Sequence, residues 1–233
     1  MNHHYKFLAA AVATLGCTTA AYADLTLLGP ENFQGTGLGA VNTILTVQSP
    51  GASSFETGTV SWNGTTDVIT GSQVLTGASQ TQTRTLGEVG VTSASELRVV
   101  FNAIEPGASS GQGSIDLEAL TLTFYSPTGT TLYSASLDQS YSFANTFTGA
   151  GNSGFVFGLT PEQAAAAQAA VFGGSFGTVR VGLMASASMA EGGLETFFVA
   201  RSPVAPIPEP GTYALMLAGL GAVGFMAKRR ART

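Results

Sequence analysis

Short runs of apolar and β-branched residues, bounded by Gly, Pro and Asn turns, recur along the body of this chain, the pattern of β-strands, and some of them alternate apolar with polar. The alternation is clearest in residues 115–125, where Leu120, Leu122 and Phe124 fall on one side and Thr121, Thr123 and Tyr125 on the other. Residues 40–48 are rich in β-branched side chains and stop at Ser49-Pro50-Gly51, a turn signal. Residues 55–62 run into Asn63-Gly64, the strongest short hairpin signal, and residues 65–70 supply the returning strand. Residues 98–104 end at Glu105-Pro106-Gly107. Ser126-Pro127-Thr128-Gly129 then folds the 115–125 strand back into one at 131–137. Residues 155–159, 178–188 and 194–200 complete the set. One stretch abandons this period. Thr160-Pro161-Glu162-Gln163 has capping-box spacing with proline at the first helical position, residues 164–172 are alanine-rich, and Gly173-Gly174 ends the run. A short helical turn is also expected at residues 92–96. The pattern predicts a mainly β protein, a single antiparallel β-sandwich or jelly-roll-like domain over residues 24–203, with the short Ala-rich helix capping one open end.

Both ends depart from this alternation. Residues 1–23 have a short polar and basic start (His3, His4, Lys6), an apolar stretch at 7–15, and then Ala21-Tyr22-Ala23, which fits the small-x-small cleavage rule of a signal peptide. Signal peptidase would cut after Ala23 and leave Asp24 first. Cys17, following Gly16, leaves a lipoprotein alternative open, although Thr14 stands where a leucine is expected. At the other end, residues 204–210 form a Pro-rich spacer containing Pro208, Glu209 and Pro210. Proline lacks an N–H and does not continue a helix, so the spacer reads as an extended peptide that a processing enzyme could grip. Residues 211–227 carry no charge and would make a transmembrane helix about 26 Å long, against a hydrocarbon core of about 30 Å. Residues 228–233 hold Lys228, Arg229, Arg230 and Arg232, a stop signal that stays in the cytoplasm.

Pro208-Glu209-Pro210, the apolar segment from Gly211-Thr212-Tyr213 onward, and Lys228-Arg229-Arg230 together resemble the PEP-CTERM sorting signal. The resemblance implies export in a Gram-negative bacterium, transient anchoring in the inner membrane, and processing by an exosortase, a membrane-embedded transpeptidase-like cysteine enzyme. It further implies a final place at the cell surface, the outer membrane or the extracellular matrix, in a setting of exopolysaccharide and biofilm formation. An ordinary membrane anchor with a chance Pro-Glu-Pro is the rival reading. In the body, Gly39-Ala40-Val41-Asn42-Thr43, the run from Gly77 to Leu86, and Gly151-Asn152-Ser153-Gly154-Phe155 resemble the cistern family, a group without an assigned activity.

With both ends set aside, residues 24–206 hold four arginines (Arg84, Arg98, Arg180, Arg201), thirteen acids and a net charge of −9. They contain no lysine, histidine or cysteine. A Ser-His-Asp or Cys-His arrangement therefore has no histidine to build on. Zinc and copper lack their usual ligands, and no disulfide can form. Four scattered arginines make no basic patch, which excludes nucleic acid. Oxygen chemistry survives, as carboxylate pairs for glycoside cleavage or as a calcium site.

Within that chemistry, each candidate has a plainer reading beside it. Gly35-Thr36-Gly37-Leu38-Gly39 precedes a strand and lacks the dinucleotide spacing, so it reads as a loop. Asp116 and Glu118 share one strand face, more simply a solvated one. Glu191 and Glu195 flank Gly192-Gly193 without any EF-hand spacing. Arg84 lies in a polar stretch, residues 81–85, expected to be an edge strand. Trp62 fits either the core or a sugar-stacking face. The reading is an exported, non-enzymatic surface or matrix protein without a cofactor, calcium being the one ion left open. Its partners are signal peptidase, exosortase, the membrane through the C-terminal helix, and exopolysaccharide. One alternative is a carboxylate-based glycoside hydrolase or lyase, with two inward-facing acids about 5–10 Å apart. The other is a carbohydrate-binding or adhesion module with Trp62, Tyr125 and Tyr133 in one groove.

Overall fold

The computed structural model describes residues 24–29, 42–49, 53–77, 79–103, 114–144, 154–190 and 193–202. Its strands are β1 (Asp24–Gly29), β2 (Asn42–Val47), β3 (Phe55–Trp62), β4 (Asp67–Thr70), β5 (Arg84–Thr85), β6 (Leu97–Asn102), β7 (Ser114–Tyr125), β8 (Thr131–Leu137), β9 (Tyr141–Ala144), β10 (Phe155–Leu159), β11 (Arg180–Ser188) and β12 (Glu195–Arg201). Helix α1 (Leu86–Val89) follows β5, and α2 (Pro161–Val171) follows β10. Single 3₁₀ turns occupy Ala94–Glu96 and Phe176–Thr178.

The twelve strands form one sheet in the order β2-β12-β6-β10-β1-β8-β7-β11-β3-β4, with β5 beside β11 and β9 beside β7. The sheet curls until its two edges meet. Gln48 N–H donates to the Gln73 carbonyl at 2.9 Å and Leu75 N–H to the Thr46 carbonyl at 3.0 Å, around a Val47–Val74 bridge. Gly58 permits the approach, since a Cβ there would stand 2.7 Å from Val47 Cγ1. Two expectations are corrected here. The architecture is one curled sheet, not a two-sheet sandwich, and it is mixed, because β1 pairs parallel to β8 while pairing antiparallel to β10. Strand pairing direction depends on where β1 enters the sheet, which alternation along β1 does not encode.

Cross-strand alternation builds the core. Phe101 of β6 stacks on Phe197 of β12 with ring centroids 4.7 Å apart, and Phe143 of β9 stacks on Phe155 of β10 at 3.7 Å. Phe101, Phe157 and Phe197 are wholly buried. Helix α2 starts where proline and cap predict: Thr160 Oγ1 accepts from Gln163 N–H at 3.3 Å. Its Ala164, Ala167 and Val171 close over the core. Gln168 Oε1 accepts from Ala94 N–H at 2.9 Å, and Tyr133 Oη donates to Gln163 Oε1 at 2.5 Å, which pins α2 to the 3₁₀ turn and to β8. The expected turn at 92–96 is the 3₁₀ turn Ala94–Glu96. The polar stretch 81–85 shortens to the two residues of β5 before α1 begins.

The first strand begins at Asp24, the residue after the expected signal cleavage. Ala21, Ala23, Pro208, Glu209, Pro210, Lys228, Arg229, Arg230 and Arg232 lie outside the described residues. So does the apolar segment 211–227; among the described residues no helix is long and apolar enough to cross a membrane.

Candidate functional site

Two groups of side chains stand out, one at each end of the curled sheet. At the first, the β3–β4 and β7–β8 hairpin tips meet backbone to backbone. Gly64 is held at φ +96° and Gly129 at φ +89°, and a Cβ on Gly129 would stand 2.6 Å from Gly64 N. Trp62, closing β3, donates from Nε1 to the Pro127 carbonyl at 2.9 Å across this junction. Arg180 opens β11 and lies over the indole, its guanidinium carbon 4.0 Å from the ring centroid. The same guanidinium donates to Thr83 Oγ1 at 2.9 Å, and that hydroxyl donates to Asp67 Oδ1 at 2.5 Å. Asp67 is in turn the cross-strand partner of Trp62. A half-exposed cation over an aromatic face is worth about 0.5–1 kcal/mol, so the stack fixes the indole's orientation more than it stabilises the fold. Tyr125 stands opposite Arg180 on β7 and leans across Gly182.

The surface beyond this patch is rich in hydroxyls. Thr121 pairs with Ser136 at 3.0 Å and Thr123 with Ser134 at 2.7 Å, all on the outer face of β7 and β8. Glu88 borders it from α1 and accepts from Thr85 N–H at 2.7 Å within a capping box. That backbone bond holds the Glu88 carboxyl below the usual range, and the positive fields of Arg84 and Arg180 add to the effect. Arg84 itself donates from Nε to the Thr43 carbonyl at 2.8 Å, tying β5 to β2. Of the three aromatics expected in one groove, Trp62 and Tyr125 gather around Arg180. Tyr133 does not join them: it pairs with the wholly buried Phe124, faces inward and holds α2.

The second group lies inside the opposite end. Glu56 and Glu195 are both wholly buried. Strand alternation puts Glu56 on the inner face with Gly58 and Val60, and Glu195 with Phe197 and Val199. Glu56 Oε1 accepts from Ser49 N–H in a very short bond, while its Oε2 and the buried Ser49 Oγ have no hydrogen-bond partner. Glu195 is the cross-strand partner of Val47, two residues before Ser49. Asp116 and Glu118 are near this end but face outward, and Glu118 Oε1 accepts from Ser188 Oγ at 2.6 Å. A β-bulge at Ser186/Ala187 leaves Glu118 without a strand partner on β11. Among the described residues no three His, Cys, Asp or Glu side chains converge. Glu191 lies outside the described residues, and Glu195 sits within β12 and not in a loop. Neither buried acid is open to a sugar.

No curated protein and no solved structure matches the chain. A family model does match its C-terminus: the PEP-CTERM protein-sorting motif, over residues 206–230. The match takes in Pro208, Glu209 and Pro210, the whole apolar segment, and Lys228, Arg229 and Arg230. The chain thus carries the C-terminal sorting motif of proteins that bacteria export, hold at a membrane and pass to an exosortase.

Proposed function

We propose that the chain delivers a non-enzymatic β domain to the cell surface or extracellular matrix, where it works among exopolysaccharide. The motif match at residues 206–230 carries this reading. The body supports it in two ways. Its net charge of −9 keeps an exported domain soluble through self-repulsion. Its inward acids, Glu56 and Glu195, are sealed in the core, whereas a carboxylate glycosidase needs its pair exposed to substrate in a cleft. In this account the apolar segment holds the domain at the inner membrane, the basic tail stays cytoplasmic, and exosortase acts near Pro208-Glu209-Pro210. The likeness of the body to the cistern group fits such a cargo. Replacing Pro208 and Pro210 together by alanine in the native host tests the step. The variant is expected to accumulate in the inner-membrane fraction while the wild type reaches the surface or medium; equal distribution of the two would contradict it.

A second reading rests on the Trp62, Arg180 and Tyr125 grouping, which has the aromatic face and donors of a sugar-binding surface. Trp62→Ala is expected to weaken retention on the host's own exopolysaccharide about tenfold, equivalent to about 1.4 kcal/mol. Retention equal to wild type would leave the patch a purely structural junction.

A further inference from the structure

The outer face of β4, β3, β11, β7 and β8 carries an ordered set of hydroxyls. Strand register lines up Thr70, Thr59, Met184, Thr121 and Ser136 as one rung across the five strands. Two residues along each strand, Val68, Ser61, Gly182, Thr123 and Ser134 make a second. Between the rungs Val60, Leu183, Leu122 and Ala135 are buried, so the rung side chains point outward. With strands about 4.8 Å apart, each rung is about 19 Å long, and the two rungs lie about 6.8 Å apart. Gly182 interrupts the second rung, and Tyr125 covers the gap. A Cβ on Gly182 would stand 2.8 Å from Tyr125 Cε2 and 2.5 Å from the Val60 carbonyl oxygen. The half-buried Tyr125 ring therefore lies among the hydroxyls, beside the stack of Arg180 on Trp62.

Hydrogen bonding and charge narrow the ligand. Ser61 Oγ donates to the Val68 carbonyl at 3.4 Å, and Thr57 Oγ1, one step further along β3, donates to the Ala185 carbonyl at 3.3 Å. Both hydroxyls then have only acceptor lone pairs left. The Thr121–Ser136 and Thr123–Ser134 pairs each use one of their two protons internally. The face thus accepts more hydrogen bonds than it donates, which matches a ligand rich in O–H donors. Neither rung holds a charged side chain, although residues 24–206 carry a net charge of −9. Asp116 and Glu118 lie further along β7, and Arg180 is held over Trp62 and on Thr83. A polyanion would meet the repulsion of the whole body with no row of cations to offset it. A polycation would find no carboxylate on the rungs.

We propose that these two rungs and the Tyr125 ring bind a neutral polysaccharide chain. A sugar ring stacks on Tyr125, as an apolar face with a polar tip allows, and the chain's hydroxyls donate to the Thr and Ser oxygens. The length of a rung suits a polymer and exceeds a single sugar. The proposal rests on the sugar-binding reading of Trp62, Arg180 and Tyr125, and adds which class of polymer that surface takes and where the chain runs.

Exopolysaccharide of the native host, separated by anion exchange into neutral and acidic fractions and immobilised, tests this with the full chain in detergent. The wild type is expected to be retained on the neutral fraction, equally at about 0.05 M and about 0.5 M NaCl, because salt screens only charged contacts. Thr121→Val/Thr123→Val keeps branched strand residues and removes two hydroxyls; folded by circular dichroism, it should lower retention about fivefold to tenfold. Tyr125→Leu should lower it as much. If the valine pair fails to fold, Ser134→Ala/Ser136→Ala removes the partner hydroxyls of the same rungs and carries the same expectation. Retention on the acidic fraction alone, or retention that falls as salt rises, would overturn the proposal. Wild-type retention in the folded rung variants would overturn it too, and a loss confined to Trp62→Ala would then leave the sugar-binding patch standing without the rungs. No retention of the wild type on either fraction would remove both.

Discussion

At the scale of single residues, the acids of this protein divide by environment. Glu88 is exposed and Glu96 half-buried, and both are held below the usual carboxyl range, first of all by backbone N–H donors, Thr85 for Glu88 and Thr92 for Glu96. Arg201 adds to the second through an ion pair of 2.8 Å. A depressed folded-state value favours the charged form in the fold. The stability it contributes is present above the unfolded glutamate range and is lost as pH falls through the folded value. Thermal unfolding is therefore expected to move to lower temperature between about pH 5 and pH 3. In the Glu88→Gln/Glu96→Gln double variant that slope should flatten modestly, because exposed pairs are screened by solvent. A slope unchanged from wild type would show that neither contact matters to the fold. The buried acids were legible in the sequence by the same alternation that predicts the strands. Glu56 shares a face with Val60, and Glu195 with Phe197 and Val199, so each occupies a core position. That Ser49, beyond the end of β2, reaches Glu56 was not legible, since it depends on β2 approaching β3 across the curl and not on any local spacing.

At the scale of elements, local chemistry predicts well and long-range pairing does not. The β3–β4 hairpin turns where Asn63-Gly64 predicts, but over four residues: Asn63 Oδ1 accepts from Thr65 N–H and Thr66 N–H, and the return strand starts at Asp67 and not at residue 65. Ser126-Pro127-Thr128-Gly129 makes the β7–β8 hairpin as expected. Strands β1 and β9, and the single turn of α1, escape a reading by pattern: pairing with distant strands holds β1 and β9 in place, and α1 is only four residues long. Helix α2 starts at its proline for local reasons, which gives a direct test. Thr160→Ala removes the acceptor for Gln163 N–H and is expected to cost about 1 kcal/mol, lowering the midpoint of thermal unfolding by about 2–4 °C. An unchanged midpoint would show that packing of Ala164, Ala167 and Val171 alone sets the helix start.

At the scale of the whole molecule, topology and sorting meet at β12. This last strand of the body is interior, flanked by β2 and β6, so the sheet is complete only when the chain has been made almost to its sorting motif. From Arg201, where β12 ends, to Glu209 is eight residues, at most about 29 Å of extended chain. The domain would thus fold close against the membrane while the tail is still held there. The central claim is that this tail is a processing signal and not a permanent anchor. The intact mass of the protein recovered from the surface or medium of its native host tests that most directly. The account predicts a mass whose C-terminus lies near Pro208–Gly211, with or without an added group. A mass that still includes Lys228, Arg229, Arg230 and Arg232 would contradict it and make the body a permanently tethered periplasmic domain.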